Sequence, residues 1–180
     1  MKTICASVIA FVTLFSSVPN KTVESVDLNR FAGTWYCLYS IPTMFDQGSR
    51  EMVTRYTLNK DGYYDVFSSC KKGDSPELHT FKSKLFPVQT ANNGQMKAQF
   101  IWPIKIDYWV IDLADDYSYT VIGHPDHRFL FIMARKPEIN PKLYGQIVAR
   151  CKNMGYPVEK LVSQQFHKAE VIALPLASGG

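Results

Sequence analysis

The segment Gln95-Met96-Lys97-Ala98-Gln99-Phe100 alternates without a break, and that alternation decides the fold. Met96, Ala98 and Phe100 share one face, Lys97 and Gln99 the other, which is the period of a half-buried β-strand. The same period runs on either side. In Glu77–Phe86, His79, Phe81, Ser83 and Leu85 lie opposite Lys82 and Lys84. In Arg50–Asn59, Arg55 marks the wet side, and Met52, Thr54, Tyr56 and Leu58 the dry one. Lys60-Asp61-Gly62 is a hairpin turn leading into Tyr63–Cys70. Further strands read at Gly33–Ile41, Asp107–Leu113, Ser118–Gly123 and Arg128–Arg135, with turns at Ala114–Tyr117 and His124–His127. Eight short strands so spaced make an all-β antiparallel meander, which closes as a barrel or packs as a sandwich.

One helix follows. Asn140 reads as its N-cap, Pro141 as its first residue and Gly155 as its stop. Leu143, Ile147, Cys151 and Met154, with Val148 beside them, form an apolar stripe at helical spacing, so the helix is expected on the outside of the barrel. A short final strand is expected after Val158, and residues 173–180 read as a flexible tail.

Composition fits this class. Of 180 residues, 46% are hydrophobic, 20% charged and 13% aromatic, a globular balance rich in strand-forming rings. The formal charge is +4, but the basic residues are scattered, which excludes nucleic acid as the expected partner. At the N-terminus Lys2, the apolar run Ile4 to Phe15 and the small residues Ser16 and Ser17 before Pro19 follow the order of an export signal, taken as residues 1–19. Residues 20–172 are then the barrel with its helix, and the protein is expected to be exported: periplasmic, outer-membrane-associated or secreted. Cys5 stands before most of the apolar run, where a bacterial lipid anchor would need its cysteine after it, so no lipobox is read.

Cys37, Cys70 and Cys151 remain beyond the signal, an odd number with neither a C-x-x-C nor a metal-ligand spacing. Cys37 and Cys70 fall on the first and third strands, about 9–10 Å apart across the intervening one, beyond the reach of a disulfide. His124 and His127 read as exposed turn histidines and His79 as a wall residue; no metal or other cofactor is expected. Thr54, Ser68, Ser83 and Ala98 are small residues among inward aromatics and leave volume unfilled, so a cavity is expected.

Gly33-Thr34-Trp35-Tyr36 resembles the G-x-W motif of the lipocalins. Asp107-Tyr108-Trp109-Val110, running into Asp112–Tyr117 with Asp115 and Tyr117 in its turn, resembles the second motif of that family. Phe129–Arg135 resembles the third, with Arg135 closing the last barrel strand. The likeness covers residues 28–163 and is to the branch of bacterial lipocalins, apolipoprotein D and plant temperature-induced lipocalins. It implies an eight-stranded up-and-down barrel open at one end, with one C-terminal helix outside. It implies a small hydrophobic ligand, of the fatty acid or lysophospholipid class, bound for storage, transport or envelope lipid handling. It also implies that Arg135 lies across the Trp35 face, with Gly33 allowing the close approach.

Alternate residues of the last strand put Phe129, Phe131 and Met133 on one side, and Tyr108 and Val110 take the corresponding face of the sixth strand. With Tyr56 and Phe100 these are the candidate ligand contacts; Tyr108 and Phe131 match cavity aromatics of the bacterial members. A buried Tyr108 hydroxyl needs a partner such as a carboxylate. The expected partners are this ligand and peripheral contact with a membrane; the oligomeric state stays open. Two other functions are open to such a chain. Cys37 shares the parity of Trp35, so a cavity-thiol enzyme of isomerase type is one, although the sequence places no activating cation beside it. A surface-mediated inhibitor or interaction protein is the other.

Overall fold

A computed structural model of the chain describes residues 18–44, 46–88, 93–164 and 166. The readings of an export signal over 1–19 and a tail over 173–180 lie, but for residues 18 and 19, outside the described residues. Eight strands form the barrel: β1 (Gly33–Ile41), β2 (Ser49–Leu58), β3 (Tyr64–Lys72), β4 (His79–Pro87), β5 (Gln95–Ile101), β6 (Ile104–Leu113), β7 (Tyr119–Gly123) and β8 (Leu130–Ala134). Each pairs antiparallel with its neighbour in sequence, and β1 pairs with both β2 and β8, which closes the sheet into a barrel. A two-residue strand, β9 (Val162–Ser163), adds to β1 at Tyr39 and Ser40. The sequence placed the barrel strands with ends shifted by at most three residues.

Two apolar layers explain the architecture. Inward residues, among them Trp35, Tyr56, Tyr64, Met96 and Met133, fill the lower barrel. On the outside, Ile111, Val121, Leu130 and Ile132 make one sector of the wall apolar on its wet face as well. Helix α2 (Pro141–Asn153) covers that sector, burying Ile147 and Cys151 completely. Asn140 caps it by accepting from the backbone N–H groups of Lys142 and Leu143. Arg150 reaches back to Asp112 of β6, with Nη2 2.6 Å from the carboxylate, and Tyr144 stacks on Tyr39 with centroids 4.0 Å apart.

The closed end is built around Arg135. A one-turn helix, α1 (Leu28–Phe31), plugs the barrel floor with Phe31, capped by the Asp27 carboxylate. The sequence reading did not anticipate it, since a four-residue turn carries no periodicity. The Arg135 guanidinium lies 3.8 Å from the Trp35 ring centroid. Its Nη1 donates to the Thr34 carbonyl (2.9 Å), and its Nη2 to those of Arg30 (2.6 Å) and Ala32 (2.9 Å). Trp35 Nε1 donates to the Phe31 carbonyl at 2.8 Å. The held carbonyls therefore run from Arg30 to Thr34, slightly downstream of α1's start. Gly33 has φ +100°, and a Cβ there would stand 3.2 Å from Arg135 Nη1, so the position needs glycine for conformation and for space. Of the second-motif residues, Asp115 offers its carbonyl to Arg30 Nη2 at 2.8 Å. Tyr117 accepts from the Asp27 backbone N–H at 2.8 Å, and the Arg30 guanidinium lies over its ring at 4.1 Å.

Lysine has neither the planar face nor the fork of donors that these contacts use. Arg135→Lys and Arg135→Ala are both expected to lower unfolding stability by about 1–3 kcal/mol, the cost of stranding hydrogen-bonded partners around a lost cation. Denaturant midpoints measure this, and values equal to wild type would show that the closed end holds without the arginine.

Candidate functional site

Above the floor the barrel is hollow. A cavity of about 710 Å³ opens at the end carrying the β1–β2, β3–β4, β5–β6 and β7–β8 connections. Its size falls in the range of small-molecule sites, about 300–1,000 Å³. One side is aromatic: Phe129 and Phe131 stack with centroids 5.2 Å apart, and Tyr108 lies 6.4 Å from Phe129. Across from it Thr54, Ser68, Ser83 and Ala98 line the wall, and their small volume is what leaves the space open.

Four hydroxyls of this wall satisfy one another in pairs. The Tyr56 and Tyr108 hydroxyls bond at 2.6 Å, and those of Thr54 and Ser68 at 3.0 Å. The partner of Tyr108 is thus a second phenol, not a carboxylate. Burial drives both phenol pKa values up, so the pair stays neutral. Where its hydroxyls are paired the wall presents an apolar surface, and an apolar ligand can lie on it there without stranding those donors.

Tyr56, Phe100, Tyr108, Phe129, Phe131 and Met133 all line the cavity. Val110 does not. It is wholly buried in the inner core, where its backbone C=O accepts from Val23 and its N–H donates to Gly94, tying β6 to the segments beside it. Parity gives the side of a strand and not the depth along the barrel, which is why the sequence misplaced it.

Three histidine readings are corrected. His79 is exposed, because β4 begins at the rim, above the packed layer. His124 is buried and lines the cavity, its ring edge-on to Phe129 at 5.4 Å. The Asp126 backbone N–H donates to its Nδ1 at 3.0 Å, folding the turn so that the ring points in. His127 is half-buried, with Nε2 2.7 Å from the Met154 carbonyl, and docks the β7–β8 turn on the end of α2. Both turn histidines are structural, and neither lies free in solvent. Among the described residues no group of three or more His, Cys, Asp or Glu is gathered closely enough to hold a metal ion.

The sequence reading missed Asp46, on the β1–β2 connection, which also lines the cavity. Its carboxyl is buried against the Thr43 hydroxyl and pushed above the usual carboxylate range by desolvation. A lone Asp in a loop carries no periodic signal, so only the fold could find it.

Cys37 also lines the cavity and is wholly buried. Its thiol donates to the Tyr39 carbonyl at 3.6 Å. Burial pushes its pKa up, and the charge contributing alongside is the Asp46 carboxylate, which also opposes a thiolate. A nucleophilic thiol needs the reverse environment. Cys70 and Cys151 are likewise buried and free, and burial raises Cys151 to about 12.

Fold and cavity together define a ligand-binding antiparallel barrel with a plugged floor, an open mouth and an external helix. The chain belongs to the lipocalins: residues 26–165 match the Lipocalin-like domain family. It is similar to temperature-induced lipocalin-1 of Arabidopsis thaliana, with 29% identity over 151 residues, covering 78% of this chain and 80% of that protein. It is also similar to the outer membrane lipoprotein Blc of Citrobacter freundii, with 26% identity over 164 residues, covering 88% and 93%. Among solved structures, insecticyanin from the tobacco hornworm Manduca sexta shares the fold, with a TM-score of 0.66 at 17% identity, covering 83% of this chain and 85% of that one.

Two outcomes test this site. In the native protein Cys37, Cys70 and Cys151 are expected to resist an alkylating agent at mildly alkaline pH and to react once the chain is unfolded without reductant. Peptide mass spectrometry reads each position, and rapid native alkylation at Cys37 would contradict the buried, protonated thiol. The second concerns pH. Burial and the Arg128 cation push His124 below the ordinary histidine range, so the unfolded chain binds its proton more readily. Its contribution to stability is full above the ordinary histidine pKa and is lost as pH falls through the lowered one. Unfolding stability should therefore fall as pH drops below the ordinary histidine pKa of about 6.5, and fall less in His124→Gln; equal slopes would show that His124 is not a source of the loss.

Proposed function

We propose that the protein binds one long-chain amphiphile, of the fatty acid or lysophospholipid class, for storage, transport or envelope lipid handling. The tail lies in the barrel and the headgroup towards the open end. The observation that carries this reading is the hollow above the Trp35–Arg135 floor, lined by Tyr108, Phe129 and Phe131, with the Tyr56–Tyr108 and Thr54–Ser68 hydroxyls paired to one another. An apolar chain gains by leaving water for such a wall, and the wall loses little. The reading is of a binder and not of an enzyme: the one cavity thiol is held protonated by burial and by a neighbouring carboxylate.

Export through the signal at residues 1–19 is part of the proposal. So is peripheral contact with a lipid surface, supported by the exposed side chains of Met44, Ile101, Trp102 and Ile104 around the mouth.

Displacement of a fluorescent fatty acid from the purified protein tests the reading. Phe131→Asp sets an unpaired charge against the tail and is expected to weaken binding at least tenfold while the barrel stays folded. Unchanged displacement would remove Phe131 from the site. Failure of the wild-type protein to bind the probe would overturn the function.

A further inference from the structure

The barrel wall has a notch on one side. The ladder between β4 and β5 runs from Pro87↔Met96 to Lys84↔Gln99, while the ladder between β3 and β4 continues to Cys70↔His79. Thr80–Ser83 therefore stay paired to β3 beyond the point where the described ladder to β5 ends. On the other side of the notch the register of β5 against β6 shifts between Ala98 and Ile101.

Outside the notch lies a groove of about 590 Å³. Val66, Lys82, Ser83, Lys84 and Phe100 line both this groove and the interior cavity. By strand alternation Val66 and Ser83 face inward, and Lys82 and Lys84 face outward. In an unbroken wall such residues would border different spaces; here they share both, which is what an opening between the two spaces produces.

The groove has its own chemistry, laid out by the register. Arg55, Phe67 and Lys82 stand in one cross-strand row, and Thr57, Asp65, Lys84 and Gln99 in another. Neighbouring strands lie about 4.8 Å apart, so Arg55 and Lys82 stand on either side of Phe67 in the row, with Arg55 Nε donating to Thr34 Oγ1 of β1 at 3.4 Å. Three cations face one carboxylate. Lys84 Nζ donates to the Tyr63 hydroxyl at 3.1 Å and sits 4.7 Å from that ring's centroid, on the outer side of the sheet. Trp102, at the β5–β6 tip and 82% exposed, forms the groove's aromatic edge. An aromatic surface between cations, continuous with an apolar chamber, suits an anion tethered to a hydrocarbon tail.

We propose that this groove is the headgroup subsite of the bound amphiphile: the tail fills the barrel, the neck crosses the β4–β5 notch past Ser83, and a phosphate-type anion meets Arg55, Lys82 and Lys84. The inference rests on the cavity binding an amphiphile and adds its headgroup class and the side by which it leaves the barrel.

Calorimetry with three probes tests it. Oleoyl lysophosphatidate and monoolein share a tail and differ in the phosphate; glycerol phosphate carries the anion without a tail. The wild-type protein is expected to bind the lysophosphatidate about tenfold more tightly than monoolein, and Arg55→Gln/Lys82→Gln to bring that ratio close to one. Lys105→Gln, a cation outside both spaces, should leave the ratio in place. Glycerol phosphate should displace neither lipid. A ratio unchanged in the double variant, or one that collapses instead in Arg128→Gln at the mouth, would overturn the lateral subsite, as would displacement of the lysophosphatidate by glycerol phosphate. Loss of monoolein binding in the wild-type protein would overturn the amphiphile reading itself, so the two failures are told apart.

Discussion

The structure depends on one cation laid over one indole. The Arg135 guanidinium covers the Trp35 ring and gathers carbonyls from Arg30 to Thr34, so a single side chain joins β8, β1 and the plug before them. Closing a barrel brings its first and last strands together, and the ends of those strands leave backbone groups to be satisfied. A planar group with five fixed donors meets that need in one place. With the floor sealed from below, Phe31 can be fully buried and the space above it can stay open without loosening the barrel.

That space is kept open by a balance of residue sizes. Large rings on β6 and β8 face small residues on β2, β3, β4 and β5. A hollow of this kind forgoes packing contacts that a filled core would make, a loss the second apolar layer under α2 helps to offset. The hydroxyl pairs Tyr56–Tyr108 and Thr54–Ser68 keep the hollow from becoming a polar one. Stability is thus concentrated at the floor and on the helix-covered flank, away from the mouth and from the β4–β5 notch, where ligand chemistry is expected.

The period-two alternation, the turn residues and the capped helix determined the strands, the C-terminal helix and its outer position, because these patterns are local and repeat along the chain. Inward parity likewise placed Tyr56, Phe100, Tyr108, Phe129, Phe131 and Met133 along the cavity. The tertiary structure alone decided depth, partners and edges. Val110 has cavity parity but sits in the core, since parity is blind to height. His124 lies in a turn yet points inward, because a backbone N–H far from any periodic pattern holds its ring. Asp46 reaches the cavity from a loop, and the notch arises where one ladder ends before its neighbour. Each of these depends on where separate segments meet in space, and an alternation of one or two residues along a strand holds no record of that.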